Sequence, residues 1–472
     1  MHALEGTRDG VKDISIGYIG GGSRSWAITM MNDLARAADL CGTVRLYDLD
    51  HESAVRNAEL GAWIQSHDAA VGEWTYEAVA DRREALAEAD VVIVSTQDPP
   101  AETFAHDCEV PKDYGIYQTV GDTVGPGGAF RALRAIPQYR DIAAAVREHC
   151  PDALVINYTN PMTVCTRTLH REFPEIDTVG LCHEVFGAQR FLAHLASEAF
   201  ETDVSMAAID ATVKGINHFT WIDEATWRGR NLLPLLDDLG MDEPMPRFFA
   251  TGPGGDRSVN NQRITLDLYR RFGVMPAAGD RHVAEFVPWY LAVEDPAVLG
   301  EWNVSVATGE NRRTKWERGE RERESLLEGA DRFEFHESGE EMVDVMRAWL
   351  GLGALKTTVN APNRGQVEGI RNDAVVETNA LITEGSVTPL AAGDLPDPVE
   401  SLVRTHVSNQ ETLVEAGFRG ALDHAFRAFL NDPLIGIDRD RAAALFRELA
   451  EIQADYLDTY DLASASIMTS GR

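Results

Sequence analysis

Five short polar segments carry the side chains that could do chemistry in this chain. They are GDTVGPGG at 121–128, NYTNP at 157–161, CHEVFG at 182–187, GINHFTW at 215–221 and GDRHVAEF at 279–286. Cys182 and His218 offer a thiolate and an imidazole, a pair that suits a divalent metal such as Mn²⁺, Fe²⁺ or Co²⁺. Because the two residues lie far apart in sequence, their spacing alone equally allows an inert cysteine and a buried core histidine.

A glycine cluster indicates a second site. The apolar run at 14–19 is followed directly by Gly20, Gly21, Gly22 and Ser23. Glycines after a first strand let the backbone approach a pyrophosphate, and the next helix offers its N–H groups. Asp48 ends the second predicted strand, where a carboxylate can bind the ribose of NAD and disfavours NADP. We expect NAD here; since GxGxxG is incomplete, the alternative is a structural turn.

The elements that position these residues alternate between strands and helices in the first part of the chain. Buried strands are predicted at 14–19, 44–47, 91–95, 153–157 and 177–181, and helices at 24–39, 51–69, 130–149 and 186–200. Such alternation indicates right-handed βαβ units. The sequence therefore predicts an α/β fold with a Rossmann-like, doubly wound parallel sheet over residues 11–200.

The second part of the chain, residues 201–472, is less regular. Amphipathic spacing predicts helices at 400–430 and 440–460, and the charged run at 310–325 predicts a solvated helix face. Residues 251–256 read as a loop and 385–398 as a surface connection. We expect a mixed α+β lobe with catalytic, substrate-binding and oligomerisation surfaces, in an arrangement that resembles lactate and malate dehydrogenases.

Composition excludes several classes of function. Lys and Arg number 43 against 76 Asp and Glu, which gives a net charge of −33. This charge repels phosphate backbones and anionic lipid, and an anionic substrate would need a locally basic pocket. No apolar run is long enough to span a membrane, and the first 12 residues lack a signal-peptide pattern. Five scattered cysteines predict a reducing, cytoplasmic setting without disulfides.

The order of the motifs identifies a family. The chain resembles glycoside hydrolase family 4, the NAD- and divalent-metal-dependent glycosidases, over nearly its whole length. The shared motifs include IGGGS at 19–23, LYDLD at 46–50, GDTVGPGG at 121–128, NYTNPM at 157–162, GLCHEVFG at 180–187, GINHFTW at 215–221, AAGDRHVAEF at 277–286, VNAPNRGQV at 359–367, VVETNA at 375–380 and GDLP at 393–396. CHEV at 182–185 resembles the uronide-cleaving members. The α-galacturonidase branch is the most similar, and the α-glucuronidases are the alternative.

The resemblance implies hydrolysis by transient oxidation. NAD⁺ takes a hydride from C3 of the sugar, and the ketone acidifies the proton on C2. A base removes that proton while a metal, Mn²⁺ or another such as Co²⁺, Fe²⁺ or Ni²⁺, holds the C2 and C3 oxygens. The leaving group departs from C1, water adds, and the hydride returns to the sugar.

The resemblance also implies roles for particular residues. Cys182 and His218 match the metal ligands, and Asp122 matches the acid near the leaving group. Asp280 lies in the segment that supplies the C2 base, with Tyr269 and Tyr290 as alternatives. From the residues alone, Asp122 could equally be a turn residue, and Asp280 could begin a helix.

Four residues are expected to bind substrate. Asn160 and Asn217 would contact sugar hydroxyls, although Asn160 could simply form a turn with the following proline. His183 would contact substrate or metal. Arg281, with His282, would meet the uronate carboxylate, since a guanidinium pairs well with that planar anion. Arg131 and Arg134 are weaker candidates for the same role.

Two further classes of function remain open on the same fold. A true NAD-dependent hydroxy-acid or sugar dehydrogenase would accumulate NADH with its substrate. A redox-sensing binding module would show no metal-dependent turnover. As partners we expect a uronide of small size and further copies of this chain, as a dimer or tetramer, and neither nucleic acid nor a membrane.

Overall fold

The computed structural model describes residues 6–7, 10–97, 101–241, 262–329, 332–463 and 465–469 of the 472 in the chain. The strands are β1 Gly6–Thr7, β2 Gly10–Ile19, β3 Leu40–Tyr47, β4 Glu73–Ala78, β5 Val91–Val94, β6 Leu154–Asn157, β7 Thr178–Gly180, β8 Asp210–Ile216, β9 Phe219–Trp227, β10 Arg230–Asn231, β11 Met275–Pro276, β12 Leu355–Pro362, β13 Val367–Glu368, β14 Val375–Thr383, β15 Ser386–Pro389 and β16 Gly393–Asp394. The helices are α1 Trp26–Ala35, α2 His51–Gln65, α3 Arg82–Leu86, α4 Ala101–Asp113, α5 Gly125–His149, α6 Met162–Glu172, α7 Glu184–Ala199, α8 Arg263–Phe272, α9 Asp280–Phe286, α10 Gly309–Leu327, α11 Met342–Trp349, α12 Asp397–Arg419, α13 Leu422–Leu430, α14 Arg439–Ile452 and α15 Ser466–Thr469. The loop predicted at 251–256 lies outside the described residues.

Six parallel strands form the Rossmann-like part of the sheet. Their order is β4-β3-β2-β5-β6-β7, so the chain reverses direction across the sheet between β2 and β5. Open sheets of this type bind ligands at the carboxyl ends of the strands, where the strand order reverses. The predicted α/β class and doubly wound parallel sheet are confirmed.

The second part of the chain extends the same sheet with antiparallel strands. β12 pairs with β7, and β14, β8 and β9 follow outward from it. Helices α12 and α13 pack against α5, and α12 also packs against α6. The expected mixed α+β lobe is therefore present, joined to the parallel strands by hydrogen bonds. A boundary between two domains near residue 200 stays a prediction.

The parallel strands are buried on both faces, as their apolar sequences require. All four residues of β5 are buried, and their side chains alternate between two cores. Val91 and Ile93 join the core on the α1 and α2 side, whereas Val92 and Val94 join the core on the α5 side. This period of two is what a strand covered by helices on both faces produces.

Three other sequence features have a structural outcome. Residues 385–398 contain the short strands β15 and β16 within the predicted connection. All five cysteines are free. Among the described residues, no helix has both the length and the apolar character needed to cross a lipid bilayer.

Candidate active site

The glycine cluster forms a tight turn between β2 and α1. The N–H groups of Gly20 and Gly21 both donate to the Tyr47 carbonyl at 2.9 Å, which ties the turn to the end of β3. Gly20 has a φ of +91°, and a Cβ there would collide with the Ser95 carbonyl at the end of β5. The turn therefore lies where the strand order reverses, as a dinucleotide site requires.

Asp48 adjoins this turn at the end of β3. Its Oδ2 accepts from the Gly22 N–H at 2.9 Å, and its Oδ1 accepts from the Asp50 N–H at 2.9 Å. Asn57 holds the turn from α2, since its Nδ2 donates to the carbonyls of Gly21 and Ser23. Each carboxylate oxygen of Asp48 keeps a second lone pair for a ribose hydroxyl.

An acid and two imidazoles come together near the carboxyl ends of the strands. The ligand atoms of Asp122, His218 and His282 all lie within 4.8 Å of one another. Asp122 precedes α5, His218 lies in the turn between β8 and β9 with a φ of +64°, and His282 lies on α9. The imidazole rings of the two histidines have their centroids 3.7 Å apart. Three separate elements thus converge on one point.

The hydroxyl of Thr123 sets the orientation of His218. It donates to Oδ1 of Asp122 at 2.7 Å and lies 2.9 Å from Nδ1 of His218. Because this hydroxyl uses its only hydrogen in the bond to Asp122, it can only accept a hydrogen bond from the imidazole. Nδ1 of His218 therefore carries the proton, and Nε2 presents a lone pair. Metal-binding histidines are commonly held in this way by a second hydrogen bond.

Electrostatics keep this group ready for a cation. Burial and the charge of His218 lower the pKa of His282 to about 4, so its imidazole is neutral at pH 7. Burial alone would raise the pKa of Asp122, but His282 and His218 when they are protonated, together with Arg131 and Arg312, hold it well below its usual range. Nδ1 of His282 is buried without a hydrogen-bond partner in the described chain. Two imidazoles beside a carboxylate offer the donor atoms that a divalent metal prefers.

Cys182 lies beside this group rather than within it. Burial and the charges of Glu377 and Glu184 raise the pKa of its thiol, and the side chain of Asn217, which precedes His218, opposes that shift. Glu377 of β14 is itself buried and accepts from Asn360 Nδ2 at 2.8 Å. A cation would be needed to make Cys182 a thiolate, so its role as a metal ligand stays a prediction.

Glu377 was not assigned a role from the sequence, although VVETNA belongs to the shared motifs. Its carboxylate also accepts from Asn217 Nδ2 at 3.3 Å and from the hydroxyl of Thr220. Burial raises its pKa, while Thr220 and Asn360 oppose the shift. Glu377 thus fixes the backbone turn that carries His218, a position that only the pairing of β14 with β8 reveals.

Two residues of the CHEV motif, His183 and Glu184, lie near the group formed by Asp122, His218 and His282. Glu184 is buried and accepts from the Gly279 N–H at 2.6 Å. Burial would raise its pKa, but charges at His282 and His183 lower it overall. The Nε2 atom of His183 lies 3.7 Å from Glu184 and its Nδ1 lies 3.2 Å from Glu340. Its ring stacks on that of Trp26, next to the glycine turn, with the centroids 6.1 Å apart. His183 therefore stands between the two sites.

Asn160 reaches the acid from the end of β6. Its Nδ2 donates to Oδ2 of Asp122 at 3.3 Å, and its Oδ1 is buried without a partner among the described residues. The Asn160–Pro161 peptide bond is cis. Asn160 and Asp122 are thus brought together as expected for neighbours in one pocket, and the role of Asn160 in binding sugar stays a prediction.

Asp280 has a structural function that the sequence indicated only in part. Its Oδ1 accepts from the Thr265 N–H and hydroxyl at 2.9 Å, and its Oδ2 accepts from the Ile264 N–H at 3.1 Å. It therefore caps the start of α8, although it is itself the first residue of α9. Burial raises its pKa and the hydrogen bonds from Thr265 oppose this.

The alternative bases are tied to carboxylates. The hydroxyl of Tyr290 donates to Asp267 at 2.7 Å, and burial with this contact raises its pKa. Burial and the charge of Asp237 also raise the pKa of Tyr269. A phenol whose partner is an anion resists deprotonation, so both tyrosines stay protonated at neutral pH and are less available as bases than Asp280.

The arginines expected to meet a carboxylate divide into two kinds. Arg134 is buried and binds Asp107 through both terminal nitrogens, at 2.7 and 3.2 Å, which disfavours the prediction that it binds a uronate. Arg281 is exposed and donates to the Thr119 carbonyl at 2.5 Å, one turn of chain before Asp122. Arg131 lies 5.3 Å from the ring of Phe104.

Helix α10 confirms the prediction of an exposed, charged helix in part. The run 310–325 is helical and most of its residues are exposed, as predicted, but one edge of the helix is covered, because Arg323 is fully buried and donates to Asn57 at 3.2 Å. Glu320 binds Arg24, directly after the glycine turn, and Arg56 on α2. Charged residues are usually predicted to face solvent, but several of those on α10 form ion pairs with residues next to the glycine turn.

The segment that ends at Asp122 is held by one buried acid. Glu285 of α9 accepts from the N–H groups of Thr119, Val120 and Gly121 at 2.7, 2.7 and 2.9 Å. Burial raises its pKa to about 7, and these three donors oppose the shift. Glu285 therefore fixes the approach of Asp122 to the histidines.

Comparison with known sequences identifies the class of protein. Residues 15–198 match the sequence model of the family 4 glycosyl hydrolases, and residues 213–435 match that of the family 4 glycosyl hydrolase C-terminal domain. The chain belongs to glycoside hydrolase family 4, and the resemblance read from the motifs is confirmed.

Individual relatives are similar along their entire length. The chain is 44% identical over 462 residues to an alpha-galacturonidase of Thermoanaerobacterium saccharolyticum, which covers 96% of this chain and 98% of the relative. It is 43% identical to an alpha-galacturonidase of Bacillus subtilis, which covers 93% and 97%. The crystal structure of lplD from Bacillus subtilis matches with a TM-score of 0.86 at 42% identity, over 93% and 100%.

A more distant structure has the same fold. It is a 6-phospho-alpha-glucosidase from gut microorganisms in complex with NAD and Mn²⁺, with a TM-score of 0.78 at 20% identity. The match covers 94% of this chain and 99% of that one.

Proposed function

We propose that this chain hydrolyses α-galacturonides and that NAD and a divalent metal such as Mn²⁺ are its resident cofactors. The observation that carries the proposal is a gap in similarity between its relatives. Four proteins named alpha-galacturonidase are 38–44% identical to it. Relatives named alpha-galactosidase or alpha-glucosidase are only 27–28% identical. This gap favours a uronide over a neutral hexoside.

The donor sets described above support both cofactors. NAD would bind at residues 20–23, with Asp48 on a ribose. His218 and His282 would hold the metal, with Cys182 as the further ligand that the family implies, and Asp122 beside them would be left to act as the acid. The related 6-phospho-alpha-glucosidase was crystallised with NAD and Mn²⁺. When bound, NAD⁺ supplies a hydride acceptor and the metal supplies a Lewis acid.

The chain's own side chains orient the sugar. Oδ1 of Asn160 and Oδ1 of Asn217 are buried, and neither has a partner atom within hydrogen-bond distance in the described residues. Each oxygen can accept a hydrogen bond from a sugar hydroxyl, which removes the cost of leaving it unpaired. His183 lies between this pocket and the glycine turn, where it can bind a hydroxyl near the cofactor. These contacts would hold one ring face toward the dinucleotide.

Proton transfer is assigned to two carboxylates. Asp280 would remove the C2 proton, and its raised pKa favours proton uptake. Asp122 would protonate the leaving oxygen, a role that requires its protonated form. The positive charges that lower the pKa of Asp122 oppose that form. Because His282 is neutral at pH 7, the opposition is weaker there than in acid.

Hydrolysis of p-nitrophenyl α-galacturonide tests the proposal directly. The enzyme is assayed with NAD⁺, Mn²⁺ and a thiol reductant, beside the matching α-glucuronide and α-galactoside. We expect release of nitrophenol from the galacturonide, loss of activity on removal of NAD⁺ and chelation of metal, and no net NADH. Faster cleavage of the glucuronide would reassign the sugar. Stoichiometric NADH would instead show a dehydrogenase.

Two further expectations belong to this proposal. The free cysteines support a reducing, cytoplasmic location. Assembly into a homodimer or homotetramer is also proposed, and size-exclusion chromatography with light scattering tests it.

A further inference from the structure

Helix α10 contacts both the segment before Asp122 and the residue that follows the glycine turn, Arg24. Arg312, near its start, donates to the Val120 carbonyl at 3.0 Å, two residues before Asp122. Trp316, one turn later, lies under the guanidinium of Arg24 at 4.2 Å. Glu320, a further turn on, binds Arg24. The stripe at 312, 316 and 320 therefore faces the body of the protein across both parts of the site.

Three cations around the segment 119–122 have no acidic partner. Arg281 and Arg312 donate to the carbonyls of Thr119 and Val120, and Lys315 follows Arg312 by one helical turn. None of the three forms a salt bridge with a carboxylate in the part of the chain that the structure describes. The guanidinium of Arg312 lies 4.1 Å over the ring of Phe104, which holds it in place.

The other basic residues of α10 behave differently. Arg313 and Arg321 both pair with Glu317, at 3.9 Å. Arg323 pairs with Glu320 at 2.6 Å. Acidic side chains outnumber basic ones 76 to 43 in this chain, so a cation is readily neutralised. Unpaired cations are thus concentrated on one side of the helix, beside the proposed sugar pocket.

Their proximity is electrostatically unfavourable without an anion. The surrounding protein and the positive charges of Arg312 and Arg281 lower the pKa of Lys315, although its side chain still contacts solvent. The charge of Asp122 opposes that shift, but this one carboxylate also faces Arg131 and Arg312. A single carboxylate cannot balance this many positive groups, and a bound anion would relieve their repulsion.

We propose that Lys315 and Arg312 of α10, together with Arg281, form the subsite that binds the C6 carboxylate of the substrate and selects uronides over neutral sugars. The inference rests on the proposed function for the identity of the sugar. Lys315 is the central residue, because among the described residues no backbone carbonyl accepts a hydrogen bond from it and its side chain is exposed. A sugar 6-phosphate presents an anion at the same position, so the two anions must be separated experimentally.

Direct binding tests the subsite without turnover. Titration calorimetry is carried out on the wild-type protein and on Lys315→Gln with D-galacturonate, D-galactose 6-phosphate and D-galactose, with NAD⁺ and Mn²⁺ present. We expect Lys315→Gln to weaken galacturonate binding about ten- to hundredfold, the usual effect of losing a hydrogen bond to a charged group. Binding of galactose should change less than twofold. Lys315→Arg should restore most of the affinity, and Arg313→Gln is the matched control without effect.

Kinetics separate specificity from general damage. In Lys315→Gln, KM for p-nitrophenyl α-galacturonide should rise and kcat should change little, while kcat/KM for the α-galactoside stays the same. Equal affinity of wild type and Lys315→Gln for galacturonate would overturn the inference, even if wild type cleaves galacturonides. Tighter binding of galactose 6-phosphate than of galacturonate by wild type would overturn the assignment to a carboxylate. Lysine-dependent galacturonate binding without galacturonide cleavage would retain the subsite and reject the proposed function.

Discussion

At the scale of single residues, the site depends on groups whose protonation is set by their neighbours. His218 is fixed by Thr123, and His282 is kept neutral at pH 7 by burial and by the charge of His218. The sequence predicted His218 as a ligand, but it assigned His282 to the uronate carboxylate. The two imidazoles come into contact only because the β8–β9 turn and α9 converge, which no spacing of residues in a sequence reveals.

His282→Gln should weaken metal binding while leaving the fold intact. The amide has no imidazole lone pair to give, so Kd for Mn²⁺ should rise at least about tenfold. Titration calorimetry of the NAD-loaded protein measures this. His194→Gln replaces a histidine on the surface of α7, where the imidazole lies 3.7 Å from Glu198, and serves as the control. An unchanged Kd would remove His282 from the metal site.

Asp280→Asn separates a base from a helix cap. An asparagine can still accept hydrogen bonds from the start of α8, so unfolding should become easier by only about 1 kcal/mol. It cannot take up a proton, so incorporation of deuterium at C2 of the released sugar in D₂O should slow at least about hundredfold. If Asp280→Asn exchanges deuterium at the wild-type rate and is only slightly less stable, Asp280 is a helix cap and not the base.

At the scale of elements, hydrogen bonds between loops and helices determine where the site residues lie. The segment before Asp122 has its N–H groups turned toward Glu285 of α9. The carboxylate thus accepts the hydrogen bonds of three buried backbone N–H groups, in the place that a neighbouring strand would take. The sequence predicted Asp122 as a site residue, but the support from Glu285 is visible only in the folded chain.

Glu285→Ala should be far more damaging than Glu285→Gln. Alanine leaves three buried N–H groups unpaired, each costing about 1–3 kcal/mol, so the free energy of unfolding should fall by at least about 3 kcal/mol. Glutamine keeps an accepting oxygen and should cost about 1 kcal/mol. Urea unfolding followed by circular dichroism compares the two. Similar losses in both variants would show that the charge of Glu285, rather than its acceptor, holds the segment.

The elements that the sequence missed share a physical cause. Strand β4 lies at the edge of the sheet, and its residues alternate between exposed and buried. Its sequence therefore has no continuous apolar run that would have predicted a strand. Most residues of the antiparallel strands β12 and β14 are buried, but polar side chains such as Asn360 and Glu377 interrupt their apolar character. Helix α10 was located correctly, but its charged inner face was taken as solvated because pairing partners come from distant segments.

At the scale of the whole molecule, one continuous sheet places both parts of the site. The strand order of the parallel half follows from alternating strands and helices, so the nucleotide-type turn and Asp48 were predictable. The antiparallel half is joined to β7 by β12 and brings the β8–β9 turn, and with it His218, to the same region. That junction pairs Asn360 with Gly180, 180 residues apart, which sequence patterns do not encode.

Acid stability provides a test remote from the site. Burial and the positive charges of Arg364 and Arg167 lower the pKa of His170, on α6, to about 3. An unfolded histidine has a pKa of about 6.5, so His170 contributes stability above that pH, and the contribution is lost as pH falls toward 3. Between pH 7 and pH 5, His170→Gln should therefore lose about 1–2 kcal/mol less of its unfolding free energy than wild type does. Urea titrations at the two pH values measure the difference, and equal pH dependence in wild type and variant would show that another group governs acid unfolding.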